Sequence, residues 1–223
     1  RRIYKIVQIT DLMTHPDYRQ KGILLKLGNL FYDSCLSEKI SFAYGFPGER
    51  SRLVGEKYLN YKPLTKVKLC SFPIKDEKGN VPVEKASFLN FYLKKIILAT
   101  DKNGIIKDID YFLWRYIENP LEEYFWSYID GALFIFRIFD NYALLMDYFY
   151  EKYSKLKELF YKCQSSLKSL GISFIKTFPC LFLGGEKFEV QEQDYYLEYK
   201  ILKDNPEKFL RLEHFLPSDY DVF

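Results

Sequence analysis

The sequence has little of what a metal centre, a membrane span or a polyanion-binding surface requires. Its soft ligands are two histidines, His15 and His214, and four cysteines, Cys35, Cys70, Cys163 and Cys180, all far apart. No cysteine pair has C-x-x-C spacing, so no structural zinc is expected and no residue is assigned to a metal. Free buried thiols in a reducing compartment are the simple reading, which places the chain in the cytoplasm. No uncharged apolar run reaches the ~18 residues of a membrane span. The best stretch, Gly131–Phe136, is stopped by Arg137. No segment reads as a signal peptide. Because the first residue is Arg rather than Met, a preceding segment is expected. Neither sign of charge dominates. The 33 basic and 30 acidic residues leave a net +3, which argues against a nucleic-acid or anionic-membrane partner. A serine elbow, a P-loop and a dinucleotide fingerprint are also missing, so serine hydrolysis, nucleotidyl transfer and hydride transfer have no support.

What the chain has in quantity is aromatic bulk. Twenty Tyr and twenty Phe among 223 residues can bury enough area for a core without disulfides. At ~150 residues per domain, the length allows one large domain or two small ones.

Hydrophobic spacing gives the order of elements. Ile3–Thr14 reads as a strand that ends at His15-Pro16, because a residue before proline is pushed out of the helical region. A helix is predicted from Gln20 to Leu36, with Ile23, Leu27, Leu30, Phe31 and Cys35 on one face. Ile40–Phe46 is a short strand, Glu49–Tyr58 a second helix, and Tyr61–Phe72 extended. Lys75–Glu84 is polar, contains Gly79 and Pro82, and reads as a boundary. An apolar run, Phe88–Ala99, follows and is closed by Lys102-Asn103-Gly104. Asp110–Ile117 reads as helical. Glu123–Ile129 and Ala132–Phe139 form a hairpin across Asp130-Gly131, and Tyr142–Phe149 continues the meander. The helix Tyr153–Leu170 is capped by Gly171, and Ile172–Phe178 and Tyr195–Leu202 are strands.

Four blocks recur in order. Leu27, Leu30-Phe31-Tyr32, Ile40-Ser41-Phe42 and Phe46-Pro47 match Leu156, Leu159-Phe160-Tyr161, Ile172-Ser173-Phe174 and Phe178-Pro179. The spacings agree apart from three extra residues between helix and strand. A strand–helix–strand unit used twice predicts two α/β domains of one type.

One segment carries chemistry. Thr14-His15-Pro16-Asp17-Tyr18-Arg19-Gln20-Lys21-Gly22-Ile23-Leu24 reads as a strand end, a tight loop and a first helical turn. Amides at a helix start lack intrahelical partners, and the helix dipole adds positive charge there. Arg19 and Lys21 add full charges, and Gly22 leaves room for close approach to the backbone. These features describe a pyrophosphate site. His15, placed before Pro16, is read as marking the strand end rather than as a base.

This segment resembles the signature of the GCN5-related N-acetyltransferase superfamily, which has Arg or Gln, two residues, Gly, one residue, then Gly or Ala. Arg19-Gln20-Lys21-Gly22-Ile23-Leu24 matches except at Leu24, which replaces a small residue. Tyr44-Gly45-Phe46-Pro47 and Tyr61 fit the same pattern. Trp114-Arg115-Tyr116 with Pro120, and the closing Asp219-Tyr220-Asp221-Val222-Phe223, resemble a tandem form with a degenerate second copy. The resemblance implies an α/β (α+β) fold of two mixed, mostly antiparallel sheets with flanking helices. Residues 1–74 would be the C-terminal part of the first domain, lacking three strands before Ile3. Residues 85–223 would be the degenerate second domain. Acetyl-CoA or another acyl-CoA would be the co-substrate. The main chain of Leu12, Met13 and Thr14 would bond the pantetheine arm, and the amides of Arg19, Gln20, Lys21, Gly22, Ile23 and Leu24 would hold the pyrophosphate. An amine of a small molecule, sugar or peptide would be the acceptor. Tyr58 or Tyr44 would protonate the leaving thiolate, and Glu56 would act as a base through water.

Two rivals are kept. A Fem-type peptidyltransferase would use aminoacyl-tRNA, against which the pyrophosphate loop and near-neutral charge argue. A non-catalytic scaffold with a decayed loop is favoured by Leu24 and the missing strands. The Asp219/Asp221 pair reads as a solvated tail, Trp114-Arg115 as a packing and salt-bridge element, and Tyr195, Tyr196 and Tyr199 as a sheet face.

Overall fold

The computed structural model describes residues 3–10, 13–75, 81–86, 90–100, 105–183, 188–203 and 215–219. Leu12, positions 76–80 of the polar boundary, the Lys102-Asn103-Gly104 turn and residues 220–223 lie outside them. The chain forms two compact units. The first is residues 1–68 with 192–212, and the second is 69–191 with 213–223. The chain passes between them at Lys68/Leu69 and at Gln191/Glu192, each inside a long strand, and again between residues 212 and 213.

The first unit contains β1 (Ile6–Ile9), α1 (Ile23–Ser37), β2 (Phe42–Gly45), α2 (Glu49–Leu59), the start of β3 (Lys62–Pro73) and most of β9 (Glu189–Ile201). Its strand order is β1-β2-β9-β3. β1 and β2 are parallel, and β2 and β9 antiparallel. The strand expected over Ile3–Thr14 is confined to Ile6–Ile9, and the expected helix starts at Ile23 rather than Gln20. Backbone geometry gives the reason: Gln20 and Gly22 have φ of 62° and 70°, in the left-handed region, so the chain cannot be helical there. A 3-10 turn, Pro16–Tyr18, fills part of the interval. The predicted apolar face of α1 is only partly covered. Tyr32 and Cys35 are buried, but Leu27 and Leu30 are exposed, Leu30 by 67%. The core of this unit joins Tyr32, Ala43, Leu59 and Tyr61, with Val7, Ile9 and Leu25 packed on it.

The second unit contains the end of β3, β4 (Val83–Lys85), α3 (Phe91–Ala99), α4 (Ile109–Phe112) running into a π turn at Leu113–Ile117, and β5 (Phe125–Ile129). β6 (Ala132–Ile138), β7 (Tyr142–Tyr150), α5 (Leu156–Ser169) and β8 (Phe174–Thr177) complete it. The strand order is β3-β8-β7-β6-β5-β4, antiparallel except for the β7–β8 pair. The β5–β6 hairpin turns at Asp130-Gly131 as predicted. Both residues have positive φ, 44° and 83°, as a two-residue turn between twisted strands requires. Opposite β6, the register of β7 shifts at Ile135/Phe136, a bulge that bends the strand. α5 buries Leu156, Leu159, Phe160, Cys163 and Leu167 against the sheet, the stripe its sequence spells.

Both units contain strand, helix and parallel neighbouring strand: β1-α1-β2 and β7-α5-β8. Leu30-Phe31-Tyr32 lies in α1 and Leu159-Phe160-Tyr161 in α5. The fold class is therefore mixed α+β, with mostly antiparallel pairing and helices flanking the sheets. All four cysteines are buried free thiols. No helix among the described residues is long and apolar enough to cross a membrane.

One expectation is overturned in the second unit. Asp219 is not part of a solvated tail. It is buried, its Oδ1 2.9 Å from Lys107 Nζ, because a 3-10 turn at Pro217–Asp219 carries it inward.

Candidate functional site

The loop between β1 and α1 is built from its own side chains. His15 Nδ1 accepts from the Asp17 amide at 3.3 Å and so caps the 3-10 turn; the strand ends earlier, at Ile9, so His15 marks this turn and not the end of the strand. Arg19 Nε donates to the Thr14 carbonyl at 3.1 Å, tying the two ends of the loop together. The ammonium of Lys21 lies 4.9 Å from the centre of the Tyr18 ring. The Arg19 amide is used locally, donating to Pro16 O at 3.2 Å.

Gly22 is the N-cap of α1, and no side chain caps the helix there. The first helical bond runs from the Lys26 amide to Gly22 O at 3.1 Å. The amides of Gly22, Ile23 and Leu24 lie ahead of that bond, at the positive end of a 15-residue helix. A methyl group added to Gly22 would meet no atom within 4 Å. The space over the helix start is open, as a phosphate cradle needs.

Beside this loop runs a groove of about 670 Å³, within the usual size range of small-ligand sites. Met13, Thr14, His15, Tyr18, Ile23 and Leu24 are among its walls, so two stretches predicted to hold a cofactor, before and after the loop, meet in one depression. Leu24, the departure from the glycine-rich pattern, lines the groove rather than closing it. Met13 is 90% exposed. Leu12 lies outside the described residues.

None of the three predicted acid–base residues lines the groove. Tyr44 is buried in β2 and donates its hydroxyl proton to Gln8 Oε1 at 3.2 Å, across the β1–β2 ladder. Glu56 is paired with Arg52 one turn earlier in α2, and Arg52 also holds Glu49 at 2.7 Å. Tyr58 is 54% exposed, with Lys57 Nζ 5.0 Å from its ring.

A carboxyl that sequence reasoning missed lies on β9. Glu198 stands directly opposite Gly45, and Lys200 opposite Ala43. The two small residues of β2 leave room for long polar side chains from β9. That signal is readable only once the register of β2 and β9 is known. Lys200 donates to the Leu59 carbonyl at the end of α2, and its ammonium lies 4.6 Å from the Tyr32 ring. Burial pushes the Lys200 ammonium below its ordinary pKa.

Solved structures share the fold. A GCN5-related N-acetyltransferase from Kribbella flavida superposes with a TM-score of 0.61 at 12% identity, covering 87% of this chain and 51% of that one. One from Anabaena variabilis gives 0.58 at 12% identity, covering 84% and 53%. A conserved Enterococcus faecalis protein, suggested to be an N-acyltransferase, gives 0.64 at 11% identity, covering 90% and 55%. The fold is that of the GCN5-related N-acetyltransferases. The chain spans about half the length of these acetyltransferase-fold structures. No family model and no curated sequence matches it.

Proposed function

We propose that this chain is an acyl-CoA-dependent N-acyltransferase that uses acetyl-CoA and transfers the acyl group to an amine of a small molecule, sugar or peptide. The observation that carries this reading is the start of α1. Gly22 has a left-handed φ and open space above it, uncommitted amides follow, and Arg19 and Lys21 flank them. The amides from Gln20 to Leu24 would hold the pyrophosphate, and the main chain of Met13 and Thr14 would bond the pantetheine arm.

In the reaction the acceptor nitrogen attacks the thioester carbonyl. The new N–C bond forms, the C–S bond breaks, the nitrogen loses a proton and the thiolate of CoA gains one. Backbone N–H groups near the end of β1 would polarise the carbonyl. Tyr58 suits the role of proton donor better than Tyr44, because it is half exposed while the hydroxyl of Tyr44 is already given to Gln8. Glu56 would have to leave Arg52 before acting as a base. In this reading the first unit, residues 1–68 with 192–212, is the CoA-binding copy and the second unit a degenerate copy. In the second copy β7 leads to α5 through a 3-10 turn, Tyr153–Lys155, that contains no glycine. A cytoplasmic location fits four free thiols.

Thermal unfolding with and without ligand tests the reading. At a hundredfold excess over Kd, a ligand bound only by the native state stabilises by about 2.7 kcal/mol, which raises Tm by about 5–10 °C for a chain of this size. Acetyl-CoA and free CoA should both give that rise, since the pyrophosphate carries most of the recognition. Adenosine, which lacks the pyrophosphate, should not. No rise with either CoA species would leave the scaffold reading in place.

A further inference from the structure

Beneath α2 a carboxyl is enclosed without a full set of partners. Glu198 is 3% exposed. Its Oε2 lies against the one position where α2 has no side chain: a methyl on Gly55 would sit 3.2 Å from it. Its Oε1 is buried and has no hydrogen-bond partner among the described residues. The charged groups facing it from α2 are Glu56 and Arg52, and Arg52 is shared between Glu56 and Glu49. From the turn after α2 comes Tyr61, whose hydroxyl accepts from Tyr32 of α1 at 2.8 Å. From β2, Gly45 stands directly opposite. On β9 itself, the Tyr196 ring stacks 4.6 Å from the Arg52 guanidinium, and Lys200 is directed to the Leu59 carbonyl. Lys66 of β3 pairs with Glu192 at 3.7 Å.

An ionised carboxylate in this place has an unsatisfied oxygen and faces the negative charge of Glu56. Arg52 already serves two other carboxylates, so it offsets only part of that cost. A protonated carboxyl removes the repulsion and lets α2 approach at Gly55. We propose that Glu198 is a proton-dependent latch, which holds α2 closed on β9 when protonated and loosens the helix when ionised. Burial, with Glu56 adding and Arg52 opposing, pushes the carboxyl up to about 7, so the latch turns over near neutrality. In the unfolded chain the same group ionises near ~4.3. Between those values the native state binds more protons than the unfolded state. The stability conferred by Glu198 is full below the lower value, falls as pH rises through the window, and is gone above about 7. The latch acts on the helix that carries Glu56 and Tyr58, and it does not depend on the acyl-transfer reading.

The test is thermal unfolding and amide hydrogen exchange of the wild type, Glu198→Gln and Glu56→Gln between pH 5 and 8.5. The expected result is a wild-type Tm that falls about 5 °C more than that of Glu198→Gln across this range. After correction for base catalysis, the α2 amides of the wild type should exchange roughly tenfold faster at pH 8 than at pH 5.5, with no such change in Glu198→Gln. Glu56→Gln removes the facing charge and frees Arg52, so the wild-type transition should move to lower pH. It also carries the test if Glu198→Gln does not fold. Parallel pH profiles for the wild type and Glu198→Gln would overturn the proposal. So would a Tm change without loosening of α2, or a transition that Glu56→Gln leaves in place.

Discussion

Replacing Lys107 by methionine is expected to destabilise the second unit by about 3–5 kcal/mol, because it leaves two buried carboxylates without their cation. Lys107 Nζ lies 2.7 Å from Asp147 Oδ2 and 2.9 Å from Asp219 Oδ1, with all three side chains at most 3% exposed. Burial works against the ammonium, yet Asp147 and Asp219 outweigh it and hold Lys107 firmly charged. The remaining valences are filled. Tyr116 donates to Asp147 Oδ2 at 3.1 Å, the Tyr148 amide to Asp147 Oδ1 at 2.9 Å and the Leu216 amide to Asp219 Oδ2 at 2.8 Å. Ser218 contacts both Lys107 and Asp147, and Tyr111 donates to the Ser218 carbonyl at 3.1 Å. The cluster thus joins the 3-10 turn at Pro217–Asp219 to β7 and to the chain before α4. Asp219→Asn should cost less, because it leaves a one-to-one pair of Lys107 with Asp147. Burial raises the pKa of Asp219, so this carboxyl is more readily neutralised than an ordinary aspartate. Urea unfolding of both variants measures the difference. A loss of under about 1 kcal/mol for Lys107→Met would mean that the cluster contributes nothing its apolar replacement cannot.

The second large effect is expected at the α1 loop. Gly22→Asp should weaken CoA binding by roughly a hundredfold or more while leaving the fold intact. The new side chain points into open space above the helix start, where the pyrophosphate is proposed to lie. At ~4 Å and an effective dielectric of ~20, each like-charge contact costs about 4 kcal/mol before relaxation and screening. A net loss of ~3 kcal/mol already gives that factor. Folding tolerates the change for two reasons. Aspartate visits the left-handed region more readily than most residues, and at an N-cap it can accept from the first-turn amides. Calorimetric CoA titration and a melting curve, on wild type and variant together, separate the two effects. Unchanged affinity in a folded variant would remove the pyrophosphate from this loop.

The parts of the fold that could be read from sequence are those set by local chemistry. Asp130-Gly131 specified its hairpin because two consecutive left-handed residues suit few other pairs. α5 announced itself through Leu156, Leu159, Phe160, Cys163 and Leu167, and all five are buried. The expected start of α1 falls three residues early because the polar Gln20 and Lys21 carry no apolar signal that fixes a boundary, and only the positive φ of Gln20 and Gly22 shows that the helix begins at Ile23. The exposed Leu27 and Leu30 carry the same lesson, since a helical stripe records spacing and not what covers it. Asp219 and Glu198 were missed for another reason. Each is defined by residues distant in sequence, Lys107 and Asp147 for one, Gly45 and Gly55 for the other. The candidate pyrophosphate loop, Arg19–Leu24, can be proposed from sequence because glycine and charge at a helix start are local signals. An acid–base residue has no such local signal, because twenty tyrosines give sequence alone no means of choosing among them.

The central claim is that the loop opening α1 holds the pyrophosphate of CoA. Backbone amide NMR of the isotopically labelled chain during a CoA titration tests it most directly. The account predicts that the largest shifts fall on the amides of Gln20 to Leu24, with a second group at Met13 and Thr14, and that Gly22→Asp abolishes both. Saturable shifts centred elsewhere, or no shifts at millimolar CoA, would contradict it.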